Sequence, residues 1–307
     1  MDFITGTASE LVKRANENRN CTKETYGYAP SLGVNAFFTA FFFISCGVFV
    51  FQGTRYRSWW GFTIAMSLGT ICEGVGYISR IMLHNDPFSD PGFKINVVLL
   101  TFAPAFLAAG IYLLLKQLTI TFSPTLSRLR PAWYTYIFIS CDLVSIVLQG
   151  AGGAVSAVAS TKKLLDVGEN IMIAGLAFQV FTLAIFGALA GEYFFRVMKH
   201  KSEVNPRALE LCKQWKFRLF LGAILLAYLC IKIRCAYRVA ELSGGWGNPI
   251  MRKEVDFIVM DSVMCTIAAL VFNVFHPGNC FDREHVGPET TQVETEESKY
   301  ISYEESN

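Results

Sequence analysis

Apolar residues along this chain come in long unbroken runs rather than in alternation. Seven runs are long enough to cross a bilayer, at about 31–53, 58–83, 95–118, 133–158, 170–195, 217–240 and 255–276. A helix needs about 20 mainly apolar residues to span a hydrocarbon core of about 30 Å. Strands of a membrane barrel would alternate with a period of two, and these runs do not. The pattern predicts an all-α fold: a polytopic membrane protein built as a seven-transmembrane-helix bundle. Residues 31–278 form that domain. Residues 1–30 form a polar leader, with an amphipathic stretch at residues 9–19. Residues 279–307 form an acidic tail in which Asp282, Glu284, Glu289, Glu294, Glu296, Glu297, Glu304 and Glu305 face only Arg283 and Lys299. A stretch of that composition cannot bury a core and is predicted to be disordered. The first run follows the polar leader and is too long for the apolar region of a cleavable signal.

Composition sharpens this picture. Hydrophobic residues make up 52% and charged residues 17%, against about 45–50% and about 25% in soluble domains. Mean hydropathy is +0.37. Too little charge remains to coat a soluble enzyme, and nothing fits a disordered chain or a nucleic-acid binder. The net charge of +2 names no partner, so the placement of charge decides more than its sum. Lys and Arg accumulate on the cytoplasmic side of a membrane. The third loop on the C-terminal side carries Arg196, Lys199, Lys201, Arg207, Lys213, Lys216 and Arg218. That loop predicts an N-terminus outside and a C-terminus in the cytosol. Asn20-Cys21-Thr22 is an N-x-[ST] glycosylation acceptor, and it falls in the leader on the outer side.

The nine cysteines predict no disulfide framework. Cys46, Cys72, Cys141, Cys230, Cys235 and Cys265 lie within runs. Cys212 and Cys280 fall on the cytosolic side, which leaves Cys21 alone outside. They are read as small packing residues, with Cys280 placed where palmitoylation occurs. Trp59, Trp60, Trp133 and Trp246 fall near run ends, as interfacial anchors do.

Ionisable groups inside a membrane cost about 2.5–3.5 kcal/mol each on insertion scales, and they usually face a cavity or a partner. They are the candidate ligand-binding residues. The second run holds Glu73, Tyr77 and Arg80, whose offsets of four and seven put them on one helical face. The fourth run holds Asp142, Ser145 and Gln149, again on one face, and the fifth holds Gln179. In the sixth, Arg234, Arg238 and Glu241 share a face that excludes Lys232. The seventh holds Asp256 and Asp261. Depth along each helix gathers Glu73, Arg234 and Asp261 in the outer half, with Asp142 the main acid of the inner half. Arg80, Arg238, Glu241 and Asp256 are near enough to helix ends to snorkel to the interface. The set predicts a polar-lined cavity that opens outward and suits an amphipathic ligand. Structural ion pairs between helices are the alternative. Pro104 lies inside the third run and should kink it, freeing a backbone carbonyl. Gly74, Gly76 and the Gly150–Gly153 stretch permit close helix contact, and Gly187-x-x-x-Gly191 is a packing face.

Other chemistry is missing. No G-x-x-x-x-G-K-[ST] phosphate loop is present. His84 lies outside while His200, His276 and His285 lie near or in the cytosol, so they cannot form a zinc centre. The seventh run has no lysine for a retinal Schiff base. The reading is of a non-enzyme without cofactor or metal.

Taken together, several stretches carry a family resemblance. They are Tyr28-Ala29-Pro30-Ser31-Leu32, Glu73-Gly74-Val75-Gly76-Tyr77-Ile78-Ser79-Arg80, and Ala103-Pro104-Ala105-Phe106 through Ile111-Tyr112. Asp142-Leu143-Val144-Ser145 with Gln149-Gly150-Ala151-Gly152-Gly153 follows, then Gly175-Leu176-Ala177-Phe178-Gln179. Arg234 to Glu241, Glu254, Asp261 and His276-Pro277-Gly278 complete the set. The chain resembles the fungal lipid-translocating exporter family, seven-helix proteins named after resistance to aminocholesterol. The resemblance implies an outside N-terminus, the plasma membrane or another endomembrane, and export of sphingoid long-chain bases or tolerance of toxic amphiphiles. It supplies no set of transport residues.

The expected function is binding and transbilayer movement of an amphipathic lipid, a sphingoid base above all, whose amine would meet Glu73, Asp142 or Asp261. The partners expected are a membrane lipid or amphipathic small molecule, and a cytosolic regulator at the third loop or tail. One alternative is a lipid receptor signalling through that loop. A membrane-embedded lipid-modifying enzyme ranks below both.

Overall fold

The computed structural model describes residues 30–85, 90–159, 161–244 and 253–281, and every regular element among them is helical. The first five spans are α1 (Leu32–Arg55), α2 (Trp60–Asn85), α3 (Asp90–Phe122), α4 (Pro131–Val158) and α5 (Lys162–Lys199). A short amphipathic helix, α6 (Pro206–Lys213), precedes the sixth span, α7 (Trp215–Ser243). The seventh consists of α8 (Glu254–Phe257), a π-helical stretch (Ile258–Val263) and α9 (Met264–Val274), and is followed by α10 (Pro277–Cys280). Seven helices are thus long and apolar enough to cross a membrane. The leader with Asn20 and Cys21, residues 245–252 with Trp246, and the tail from residue 282 lie outside the described residues.

Several helices run past their apolar stretches. α5 has 38 residues, a length of about 57 Å at 1.5 Å per residue. Local chemistry sets its start, where the Thr161 side chain accepts a hydrogen bond from the Leu164 N–H. Pro131, Pro206 and Pro277 open α4, α6 and α10, positions where the absent N–H has no partner to lose. Asn205 and His276 cap the last two through their side chains.

α2 and α3 are the inner helices. Inside the bundle lie 61% and 67% of their most apolar windows, against 28% for α1 and α4. α2 packs between α1 and α3, α3 continues onto α4, and α4 pairs with α5. α7 joins α5 to α9, and α9 closes the ring against α1. The α4–α5 seam is glycine-lined. A Cβ on Gly152 would lie 2.6 Å from the Gly168 carbonyl oxygen and 2.6 Å from the Met172 nitrogen, so only glycine lets these backbones approach.

Outward faces are apolar: Phe37, Ile44, Phe51, Val147, Phe181 and Phe195 are all exposed. An apolar exterior of this extent matches a lipid surround. Trp60 and Trp133 are exposed near span ends. Trp59 instead tilts onto Phe281 with ring centroids 5.4 Å apart. Cys46, Cys72, Cys141, Cys212, Cys230, Cys235, Cys265 and Cys280 are free thiols.

Candidate functional site

Arg234 of α7 is the centre of a buried ion network. Its Nε donates to Asp261 Oδ1 at 3.0 Å, and its Nη2 lies 3.1 Å from Glu73 Oε1. Nη2 also donates to the Leu100 carbonyl oxygen at 2.5 Å. Leu100 lies four residues before Pro104. A proline has no N–H to give the carbonyl at i−4, so the acceptor freed inside α3 is taken by a guanidinium from another helix. One turn along α7, Arg238 reaches Asp261 Oδ1 at 2.9 Å and Glu241 Oε2 at 2.7 Å. Arg80 of α2 donates to Asn35 Oδ1 at 3.1 Å. The Phe257 ring packs against two cations, Arg80 at 3.9 Å and Arg238 at 5.3 Å from its centroid. Tyr77 stacks on Phe42 at 5.7 Å.

Among the described residues, ion pairs join three carboxylates, Glu73, Glu241 and Asp261, to two guanidinium groups, those of Arg234 and Arg238, and Arg80 meets them through the Phe257 ring. Glu73, Arg234 and Asp261 are 0% exposed. Burial of ions on this scale is tolerable only where each finds opposite charge and hydrogen bonds. The π-helical stretch supplies one of the acids. Its wide turn inserts an extra residue, so the consecutive residues Asp261 and Ser262 both face inward.

Depth along the helices gathers Glu73, Tyr77, Arg80, Arg234, Arg238, Glu241 and Asp261 into one half of the bundle, away from the 196–218 loop. They converge on one another, and none is more than 3% exposed. Arg80, Arg238 and Glu241, close enough to helix ends to snorkel, are buried under Asn35, Phe257 and Asp261. Asp256 alone of that group reaches the surface, 3.8 Å from Lys253. Asp142, Gln149 and Gln179 stand apart. Gln149 donates to Gln179 across α4 and α5 at 3.0 Å. Asp142 Oδ2 accepts from the Tyr112 hydroxyl of α3 at 2.9 Å.

In the other half lies a feature that charge patterns do not reveal. A cavity of about 410 Å³ sits between α3, α5 and α7, lined by apolar side chains that include Ile111, Leu115, Phe186 and Tyr228. Its volume falls in the range of about 300–1,000 Å³ usual for small-molecule sites. Gly191 and Gly222 leave the space: a Cβ on either would meet nothing within 4 Å. Gly187, by contrast, is covered by the Tyr228 ring. Tyr228 spends its hydroxyl on the Leu183 carbonyl at 3.1 Å, so the wall offers hydrocarbon rather than donors. The sequence signal was present but split, one glycine on each of two helices far apart in the chain.

Residues 66–284 match a family described as RTA1 like protein. The chain is 32% identical to the sphingoid long-chain base transporter RSB1 of Saccharomyces cerevisiae, over 92% of this chain and 84% of the relative. It is 31% identical to Protein RTM1 of the same yeast, over 71% and 68% of the two chains. It is 30% identical to the yeast Protoporphyrin uptake protein 1, over 70% and 68%. No solved structure matches.

Proposed function

This chain belongs to the RTA1-like family, and from that premise we propose that it carries a sphingoid long-chain base or a related amphiphile from one leaflet to the other. The observation that carries the reading is the likeness to a long-chain base transporter along nearly the whole chain. Transport of a lipid or amphiphile in the general sense accords with the named activities of the relatives, which are transport and uptake rather than catalysis. The orientation follows the basic loop at residues 196–218, with the N-terminus outside, the C-terminus cytosolic and the plasma membrane as the site of action.

The geometry suits this work. The apolar cavity between α3, α5 and α7 accepts hydrocarbon at membrane depth. The ion network seals the opposite half in this conformation. With no nucleotide-binding loop in the sequence, movement is facilitated or coupled to an ion gradient. The test is reconstitution of the purified protein in liposomes carrying a labelled C18 long-chain base. Transbilayer movement should exceed that in empty liposomes by at least tenfold. Equal rates in the two, with and without a proton gradient, overturn the reading.

A further inference from the structure

We infer that the cavity between α3, α5 and α7 is the alkyl-chain half of a bipartite site whose other half is the Asp142 carboxylate, and that the pair selects a single-chain amphiphile with an ammonium head. This deepens the transport reading above and rests on it. Four acids are buried among the described residues: Glu73, Asp142, Glu241 and Asp261. Glu73, Glu241 and Asp261 are committed to Arg234 and Arg238. Asp142 is 3% exposed, makes no ion pair with a described residue, and has a neutral phenol as its hydrogen-bond partner. Its second oxygen, Oδ1, accepts no hydrogen bond there. A buried carboxylate so placed is complementary to a cation that the protein itself does not supply.

The two halves are adjacent. Phe186 lines the cavity, and its ring centroid is 4.5 Å from that of Tyr112, whose hydroxyl reaches Asp142. The rings of Phe186 and Tyr112 therefore link the hydrocarbon space to the acid, and a ligand that occupies both passes beside them. Asp142 lies eleven residues into α4, about 17 Å from its start, and Phe186 lies about 20 Å from the end of α5. Both are near the middle of a core about 30 Å thick. An amine held there has its head at the midplane and its chain in the cavity, as a lipid does halfway through its crossing. One cation stands near by: Lys232 Nζ lies 5.9 Å from the ring centroid of Tyr228, and it would favour an acid head instead.

The experiment measures equilibrium binding of tritiated C18 long-chain base to full-length protein in nanodiscs, with octadecanol and palmitate as competitors. Wild type should prefer the amine to both. Asp142→Asn should weaken amine binding about tenfold or more, the scale of a charged hydrogen bond, and leave octadecanol within threefold. Gly191→Leu and Gly222→Leu fill the cavity and should weaken both ligands alike. Wild-type binding of the amine that all three variants retain overturns the site and leaves the transport reading standing. No amine binding by wild type overturns both. Preference for palmitate, lost in Lys232→Met, overturns the head-group assignment.

Discussion

At the scale of single residues, Arg234 shows how much of the site a sequence can reveal. Helical spacing alone put Glu73, Tyr77 and Arg80 on one face, and Arg234, Arg238 and Glu241 on another. It also marked Pro104 as the source of a free carbonyl. The donor for that carbonyl could not be read, because Leu100 and Arg234 are 134 positions apart. Nor could spacing show that Arg80 is held by Asn35 and covered by Phe257 rather than drawn to the interface. Those are properties of the helices packed alongside. The shared burial yields a prediction. Arg234→Met leaves Glu73 and part of Asp261 uncompensated, and should cost about 3–5 kcal/mol of stability, seen as a lower unfolding midpoint in detergent. Adding Glu73→Gln should recover part of that loss, because it removes one stranded charge. A double-mutant cycle reads the coupling directly, and additive losses would mean that the two side chains act separately.

Among elements, the spans were legible because a continuous apolar run of bilayer length suits little besides a membrane-crossing helix. Their ends were not, because a cap such as Thr161 extends a helix beyond the run that identified it. The π-helical stretch Ile258–Val263 left little mark in the pattern, since Asp261 and Ser262 are its only polar residues and two adjacent positions define no period. Deleting the exposed Val259 should restore ordinary helical winding and turn Phe257 by about 100° relative to Asp261. Circular dichroism should then show unchanged helix content, while transport is lost because the Arg238–Phe257 contact and the Arg238–Asp261 pair can no longer form together. The glycines give a sharper contrast. Gly152→Ala places a methyl against the backbone of α5 and should cost about 1–3 kcal/mol, as overpacking does. Gly191→Ala, which meets nothing within 4 Å, should hold or raise the unfolding midpoint, since alanine is favoured over glycine inside a helix by about 0.5–1 kcal/mol.

On the scale of the whole molecule, the two halves of the bundle differ in kind. One is locked by ion pairs and the other holds an apolar cavity, so a lipid bound in the second cannot pass the first without a rearrangement. The charge pattern gathers these groups in one half and predicts an open space lined by them, where the structure has them paired with one another. Whether convergent charges face a void or each other depends on how closely the helices approach, and no single-chain pattern encodes that. The closed arrangement carries a kinetic consequence. Glu241→Gln removes the carboxylate that lies 2.7 Å from Arg238 Nη1. The sealed conformation then holds the buried Arg238 guanidinium with one ion pair fewer, out of reach of water, and is destabilised. A conformation that admits water to the network suffers far less, so the equilibrium shifts toward opening. Transbilayer movement of a long-chain base in liposomes should therefore quicken several-fold, while equilibrium binding in the distant cavity stays within about twofold of wild type, since sites without shared partners behave independently. A slower rate at unchanged binding would mean that the network carries the head group rather than restrains the helices, and the assignment of lock and carrier would have to be exchanged.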